Sequence, residues 1–144
     1  MVTALMITES LGGRGVLRER LADYAAVIDR TRTGLPYAAL EALARRYAIP
    51  LPRILRVLAL PARTHARRKK ERRLSAAESD RLLRLARVAA GAEQTLGAAD
   101  KAGQWLQKPN RALRGAAPLD LLDTDLGVEE VVTVLGRIEH GVYS

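Results

Sequence analysis

Residues 51–70 read LPRILRVLALPARTHARRKK, and the fold turns on how this stretch is divided. Pro50 and Pro52 stand before the apolar trio Ile54, Leu55 and Leu58, and Pro61 stands after Ala59-Leu60. Proline suits a first helical turn and stops a preceding helix. The spacing therefore predicts a short helix over 53–58, a tight turn at Ala59-Leu60, and a second helix starting at Pro61 and running through the basic run towards Arg73.

That pattern resembles a helix-turn-helix unit, whose second helix reads the major groove of DNA. Nine basic residues lie between Arg53 and Arg73, with only Glu71 opposing them. A helix so charged would meet phosphate on both sides of a groove. Arg63, Thr64, Arg67 and Arg68 are the residues expected to face DNA, because an arginine fork can take guanine O6 and N7 together. Lys69 and Lys70 are expected to neutralise phosphates as point charges. A bland alternative stands beside this one: residues 67–73 form a solvated charged stretch that keeps an alanine-rich chain soluble. One departure is local. Helix-turn-helix units usually bury an aliphatic residue near position 65, and this chain has His65; either the imidazole packs there neutral, or the register is off by one residue.

Outward from this unit, the apolar spacing stays helical, with no sustained two-residue alternation, so the fold class expected is all-α. Leu17, Leu21, Tyr24 and Ile28 mark one amphipathic helix, beginning near Val16. Leu40, Leu43, Ala44 and Tyr47 mark the next, opened by Pro36. Ser75-Ala76-Ala77-Glu78 has the form of a capping box, starting a helix with the stripe Leu82, Leu85, Ala86 and Ala89 that runs to Gly91. Gly97 breaks the following segment, and Asp100 is placed to cap a helix carrying Trp105 and Leu106. The last helix has Thr124 as its cap, acids near its positive end, the stripe Val128, Val131, Val132 and Leu135, Arg137 and His140 in its final turn, and Gly141 as its stop.

The 144 residues carry 24 Lys+Arg and 16 Asp+Glu, a formal charge of +8, but unevenly. Residues 1–91 hold 19 basic and 8 acidic residues; residues 92–144 hold 5 and 8. Opposite fields suggest two modules with different partners, a polyanion for the first and something else for the second. The organisation expected is a flexible leader over 1–15, containing the Gly12-Gly13-Arg14-Gly15 run, a helix-turn-helix domain over 16–91, and a second module over 92–144.

Several classes drop out. With no cysteine, disulfide frameworks, thiol nucleophiles and thiolate-held metals are excluded. His65 and His140 lie in opposite modules, so no paired-histidine metal site is expected, and no cofactor either. No Walker loop, HExxH or Ser-His-Asp order is present, and the glycine run follows no predicted strand, so an enzyme is not expected. Five aromatics and no phenylalanine leave little for stacking single-stranded nucleic acid. No apolar run reaches the length of a membrane helix and no secretory leader is evident, so the expected address is the cytoplasm.

From Trp105 to Tyr143 the chain carries Trp105-Leu106, Pro109-Asn110, Ala112-Leu113, Gly115, Pro118-Leu119, Leu122, Thr124, Gly127 and the run LGRIEHGVY over 135–143. This resembles the toxin-binding domain of the Xre/MbcA/ParS antitoxin family. The segments GLPYAALEALARRYAI (34–49) and RRLSAAESDRLLRLAR (72–87) look like the Xre-like helix-turn-helix half of the same antitoxins. Members often have an aromatic before the glycine near position 97, where this chain has Leu96. The resemblance implies a type II antitoxin whose partner is a RES-domain toxin that consumes NAD. It further implies that the C-terminal domain covers the toxin's active-site cleft, while the other half binds operator DNA and represses the operon.

The residues expected to bind the toxin are Arg137, Glu139, His140, Gly141, Val142, Tyr143 and Ser144, with Tyr143 filling an apolar pocket and the Ser144 carboxylate meeting cations of the cleft. Trp105, Leu113, Leu119, Leu122 and Leu135 are read as core. Asn110 is either a cap for the short helix after Pro109 or a partner contact. A homodimer is expected because one short reading helix covers few base pairs, with the dimer surface on the helix from Ser75 or the helix from Val16 as candidates. A stand-alone dimeric helix-turn-helix repressor without a toxin partner is the alternative.

Overall fold

A computed structural model describes residues 2–141. Every regular element among them is helical: α1 (Ala4–Ser10), α2 (Gly13–Leu17), α3 (Tyr24–Thr33), α4 (Tyr37–Tyr47), α5 (Leu51–Val57), α6 (Ala62–Glu71), α7 (Ala76–Leu96), α8 (Ala99–Gln107) and α9 (Asp125–Glu139), with short 3-10 turns at Arg111–Leu113 and Pro118–Leu121. A lone antiparallel bridge joins Pro36 to Arg73.

Helix α7 is the spine. Its start is the anticipated capping box, in which Ser75 Oγ accepts from Glu78 N at 3.1 Å while Glu78 Oε1 accepts from Ser75 N at 2.8 Å. Leu82, Leu85, Ala86 and Ala89 are fully buried. The helix does not stop at Gly91; it runs on to Leu96, and Gly97 ends it at φ +91°. One continuous rod thus belongs to both halves of the chain, and α1, α3, α4, α8 and α9 all pack on it.

Three expectations change near the N-terminus and in the second half. Of the stretch 1–15, expected as a flexible leader, the described residues fold into α1 and most of α2, with Ile7 and Leu11 buried in the core and Thr3 Oγ1 capping α1 through Met6 N. A single helix through Leu17 and Ile28 does not form. Arg18 takes φ +65° after α2, and Asp23 caps a new helix by accepting from Ala26 N at 2.9 Å. Leu17 and Leu21 remain core residues, whereas Tyr24 and Ile28 are exposed. Asp100 lies inside the first turn of α8 without capping it; the N-cap position is Ala98.

Helix α9 is rotated relative to its expected stripe. Its buried residues are Gly127, Val131, Val134 and Leu135, and Val132 faces outward. Gly127 sets this rotation, since a Cβ there would stand 1.7 Å from the Leu121 carbonyl oxygen, so only glycine admits the contact. Gly103 does the same for α8: a Cβ would stand 1.9 Å from the Tyr47 carbonyl oxygen on α4.

Candidate nucleic-acid and partner interfaces

Helices α5 and α6 flank the anticipated tight turn, with Ala59 at φ +52° between them. Leu58 and Leu60 are buried on either side of that turn, and Leu60 N donates to the Leu55 carbonyl. Helix α6 itself contains no buried residue. Arg63, Arg67, Lys69 and Lys70 are all exposed, and Thr64 is half-buried. Arg63, Arg67 and Lys70 recur at a spacing that puts them along one side of the helix. Arg67 has Glu71 as a distant neighbour, at 3.7 Å.

Arg68 does not join this row. Its Nε donates to Glu78 Oε1 at 2.7 Å and its Nη1 to Glu71 Oε1 at 3.1 Å, and only 18% of the side chain is exposed. Burial opposes ionisation of Glu78, yet the Arg68 guanidinium and the Ser75 N–H together hold its carboxyl below the usual range. Arg68 therefore ties α6 to the capping box of α7, a role that depends on a carboxylate ten residues away across a turn. At the other flank His65 is half-buried, its Nε2 2.7 Å from the hydroxyl of the buried Tyr37. Desolvation and then Glu41 push the Tyr37 hydroxyl up in pKa, so it remains a phenol at neutral pH. The imidazole packs half-buried against the Tyr37 hydroxyl, while α6 itself buries no residue. Past α6, Tyr37 N donates to the Arg72 carbonyl and Leu74 N to the Leu35 carbonyl, pinning the helix's far end.

The two halves are joined by polar contacts that the sequence does not announce. Arg46 donates to Glu93 through Nε at 3.1 Å and Nη2 at 2.7 Å, and the Tyr47 hydroxyl, 2.8 Å from the same carboxylate, lies 2.7 Å from Ser10 Oγ. The Arg46 bond, against the cost of burial, holds Glu93 below the usual range, while burial pushes Tyr47 up to about 12. Arg53 on α5 donates to Asp120 Oδ1 at 3.2 Å, so the first helix of the helix-turn-helix pair touches the second module. No local spacing signal marks these pairs, because every partner is distant in sequence.

In the second module Leu113, Leu119, Leu122 and Leu135 are buried and Trp105 packs against the same core. Asn110 is a cap: its Oδ1 accepts from Ala112 N at 2.9 Å. Arg114 grips Glu130 with two bonds, at 2.8 and 2.9 Å. Arg137, Glu139, His140 and Gly141 are exposed at the end of α9, where Thr124 Oγ1 caps the opposite end. They do not form one cluster. Arg137 borders a shallow depression with Leu113, Leu126 and Glu129, whereas Glu139 faces the other side of the helix, towards α7. Leu126, 74% exposed, is a further contact candidate that the sequence reading does not single out; its only signal is that it falls off the apolar stripe. Val142, Tyr143 and Ser144 lie outside the described residues.

An exposed basic second helix on a helical scaffold, followed by an acidic helical module whose last helix is packed along one side and exposed at its end, defines a protein of the helix-turn-helix class with an appended partner module. Residues 26–87 match the antitoxin Xre-like helix-turn-helix domain, and residues 91–141 match the antitoxin Xre/MbcA/ParS C-terminal toxin-binding domain. An Antitoxin Xre of Yersinia enterocolitica is 32% identical over 120 residues, 82% of this chain and 81% of that one. One of Photorhabdus laumondii is 34% identical over 77% of this chain and 76% of its own length, and one of Pseudomonas putida is 39% identical over 57% and 52%. The chain belongs to the Xre antitoxin family: it is a type II antitoxin, not an enzyme. Among the described residues no helix is long and apolar enough to cross a membrane.

Proposed function

We propose that this antitoxin neutralises a RES-domain toxin that degrades NAD, that it does so in the cytoplasm as a homodimer, and that its helix-turn-helix half binds operator DNA to repress its own operon. The observation that carries the toxin reading is the end of α9. Arg137 and His140 project from the matched toxin-binding domain with no side-chain partner among the described residues. A dinucleotide-consuming cleft must hold phosphates with cations and also offer apolar surface, and in this reading Tyr143 fills an apolar recess of that cleft, beside Arg137 and His140.

The DNA reading rests on the row Arg63, Arg67 and Lys70, with Thr64 and Lys69 beside it, presented by a helix that buries none of its own residues. Arg68 supports this surface from behind.

The test is co-expression with the neighbouring reading frame, purification through a tag on the antitoxin, and measurement of cellular NAD when the antitoxin is depleted. Co-purification and a fall in NAD are expected, and a chain lacking residues 141–144 should stay helical yet lose inhibition. Full inhibition by the truncated chain removes the tail from the mechanism; steady NAD without a co-purifying partner favours the stand-alone repressor.

A further inference from the structure

Towards the C-terminal end of α7 a groove of about 320 Å³ opens between α7 and α9, with Val2 and Tyr24 along its edge. Its walls include Val88, Val128, Val132 and Leu135, and Gly91 and Gly136 leave its floor without side chains. Tyr24 and Val132 are each 51% exposed, and Ile28, one turn beyond Tyr24 on α3, is 45% exposed. Two of the exposed large apolar residues among those described, Tyr24 and Val132, thus line one groove. Such clustering marks an interaction surface, whereas isolated exposed apolar residues do not.

We propose that the exposed apolar face around this groove, Tyr24 and Val132, packs against the same face of a second copy of the chain, with Arg87 of each protomer paired to Glu139 of the other. The inference rests on the homodimer reading above and assigns its surface. The charges select the occupant. Arg84 Nη2 bonds to Asp125 Oδ1 at 3.2 Å and so fixes the start of α9 beside residue 84 of α7. Arg87 is three residues along α7 from that bridge, and Glu139 is about four turns along α9 from it. The two therefore stand at opposite ends of the groove, both exposed and neither paired among the described residues. A surface with one cation and one anion at its two ends is complementary to itself under a two-fold rotation about its middle, near Gly91 and Val132. That is the requirement of an isologous contact. A toxin cleft that binds phosphates would instead favour a surface of one sign.

The length of α7 agrees with this placement. From Glu78, where α6 is clamped, to Gly91 is thirteen residues, about 20 Å along the helix. With an axis near Gly91 the two Glu78 clamps that hold the reading helices stand roughly 40 Å apart along the α7 direction, comparable with the spacing of about 34 Å between successive major grooves. Glu139 then serves the dimer, and Arg137, His140 and the terminus remain for the toxin.

The test measures the mass of the full-length chain in solution across a dilution series, with circular dichroism as the control for folding. The wild type is expected at twice its 15.7 kDa chain mass. Val132→Glu should be monomeric at the same concentrations. Arg87→Glu and Glu139→Arg should each weaken the dimer at least tenfold, because each sets like charges against one another. Mixing these two variants should restore it, since the two reversed charges then face each other at one end of the mixed dimer while the native Arg87 and Glu139 pair at the other. Recovery on mixing also shows that both variants fold. A dimer unaffected by all three substitutions overturns this surface but leaves the homodimer; a monomeric wild type overturns both. A Val132→Glu chain that stays dimeric but loses its toxin assigns the groove to the toxin instead and overturns the proposal.

Discussion

Helices α6 and α9 both present charge to solvent, yet they are held in opposite ways. The ten residues of α6 bury nothing; the helix is fixed by Arg68 on Glu78, His65 on Tyr37 and the backbone bonds beyond its end. The fifteen residues of α9 are fixed by packing, with Gly127 against the Leu121 carbonyl and Val131, Val134 and Leu135 in the core. A reading helix has to leave its surface free for a groove, so polar clamps at its flanks substitute for burial. A helix of a partner-binding module can bury one side and keep the other.

The largest effect expected separates steric from polar support. Gly127→Ala places a methyl 1.7 Å from a backbone oxygen, so α9 must move as a unit, at a cost of about 3 kcal/mol or more, the upper part of the range for overpacking. Toxin binding should fall with it. Gly15→Ala on α2, whose added carbon meets nothing within 4 Å, should instead stabilise by about 0.5–1 kcal/mol, as alanine does in an open helical site. Urea unfolding of the two variants checks both signs.

Next come the two arginines adjacent in sequence. Arg68→Ala strands the buried Glu78 carboxylate and should cost about 2–3 kcal/mol, below the full value for a buried pair because the site retains some solvent access. Arg67→Ala should change stability by no more than about 0.5 kcal/mol. It should weaken DNA binding and lower the salt dependence by about one ion's worth. Equal stability losses for the two would contradict the clamp.

What the amino-acid pattern discloses, and what it hides, follows the range of each interaction. Ser75 with Glu78, Thr124 before α9 and the turn at Ala59 are local devices, complete within four residues, and they are readable. The α6 and α7 helices are likewise placed by proline and capping signals. Arg68 reads as a DNA contact because its carboxylate lies beyond a turn, and any exposed-looking arginine in a basic run fits a phosphate. Residues 1–15 read as a mobile leader because Gly12, Gly13 and Gly15 suggest freedom, while the burial of Ile7 and Leu11 depends on α7, far along the chain. The outward turn of Val132 is hidden for a similar reason: a valine stripe fixes a helix's amphipathic period, but the contact at Gly127 chooses which edge of the stripe is buried.

Acid should probe both polar clamps. Glu78 and Glu93 have folded pKa values below the usual 4.5. The stability they add is therefore present above about 4.5 and is lost as pH falls through their lowered folded values. Glu78→Gln/Glu93→Gln should be less stable than the wild type at neutral pH and lose less on acidification. Thermal midpoints between pH 7 and pH 3 check this, and parallel curves would assign the acid sensitivity to other carboxylates.

The smallest effect lies at His65, where α6 departs from the usual aliphatic anchor. His65→Leu supplies the apolar side chain but deprives the buried Tyr37 hydroxyl of its partner, which costs about 1–3 kcal/mol for an unsatisfied buried group. Tyr37→Phe removes the hydroxyl and leaves a half-buried imidazole that water can reach, so its cost should be nearer 1 kcal/mol. With both replaced no polar atom is stranded, and Tyr37→Phe/His65→Leu should unfold within about 0.5 kcal/mol of the wild type. The cycle thus expects a coupling opposite in sign to the single losses, measurable from four urea midpoints. If the double variant loses the sum of the two single costs, the imidazole anchors α6 by packing alone, and the contrast with α9 narrows to the Arg68 clamp.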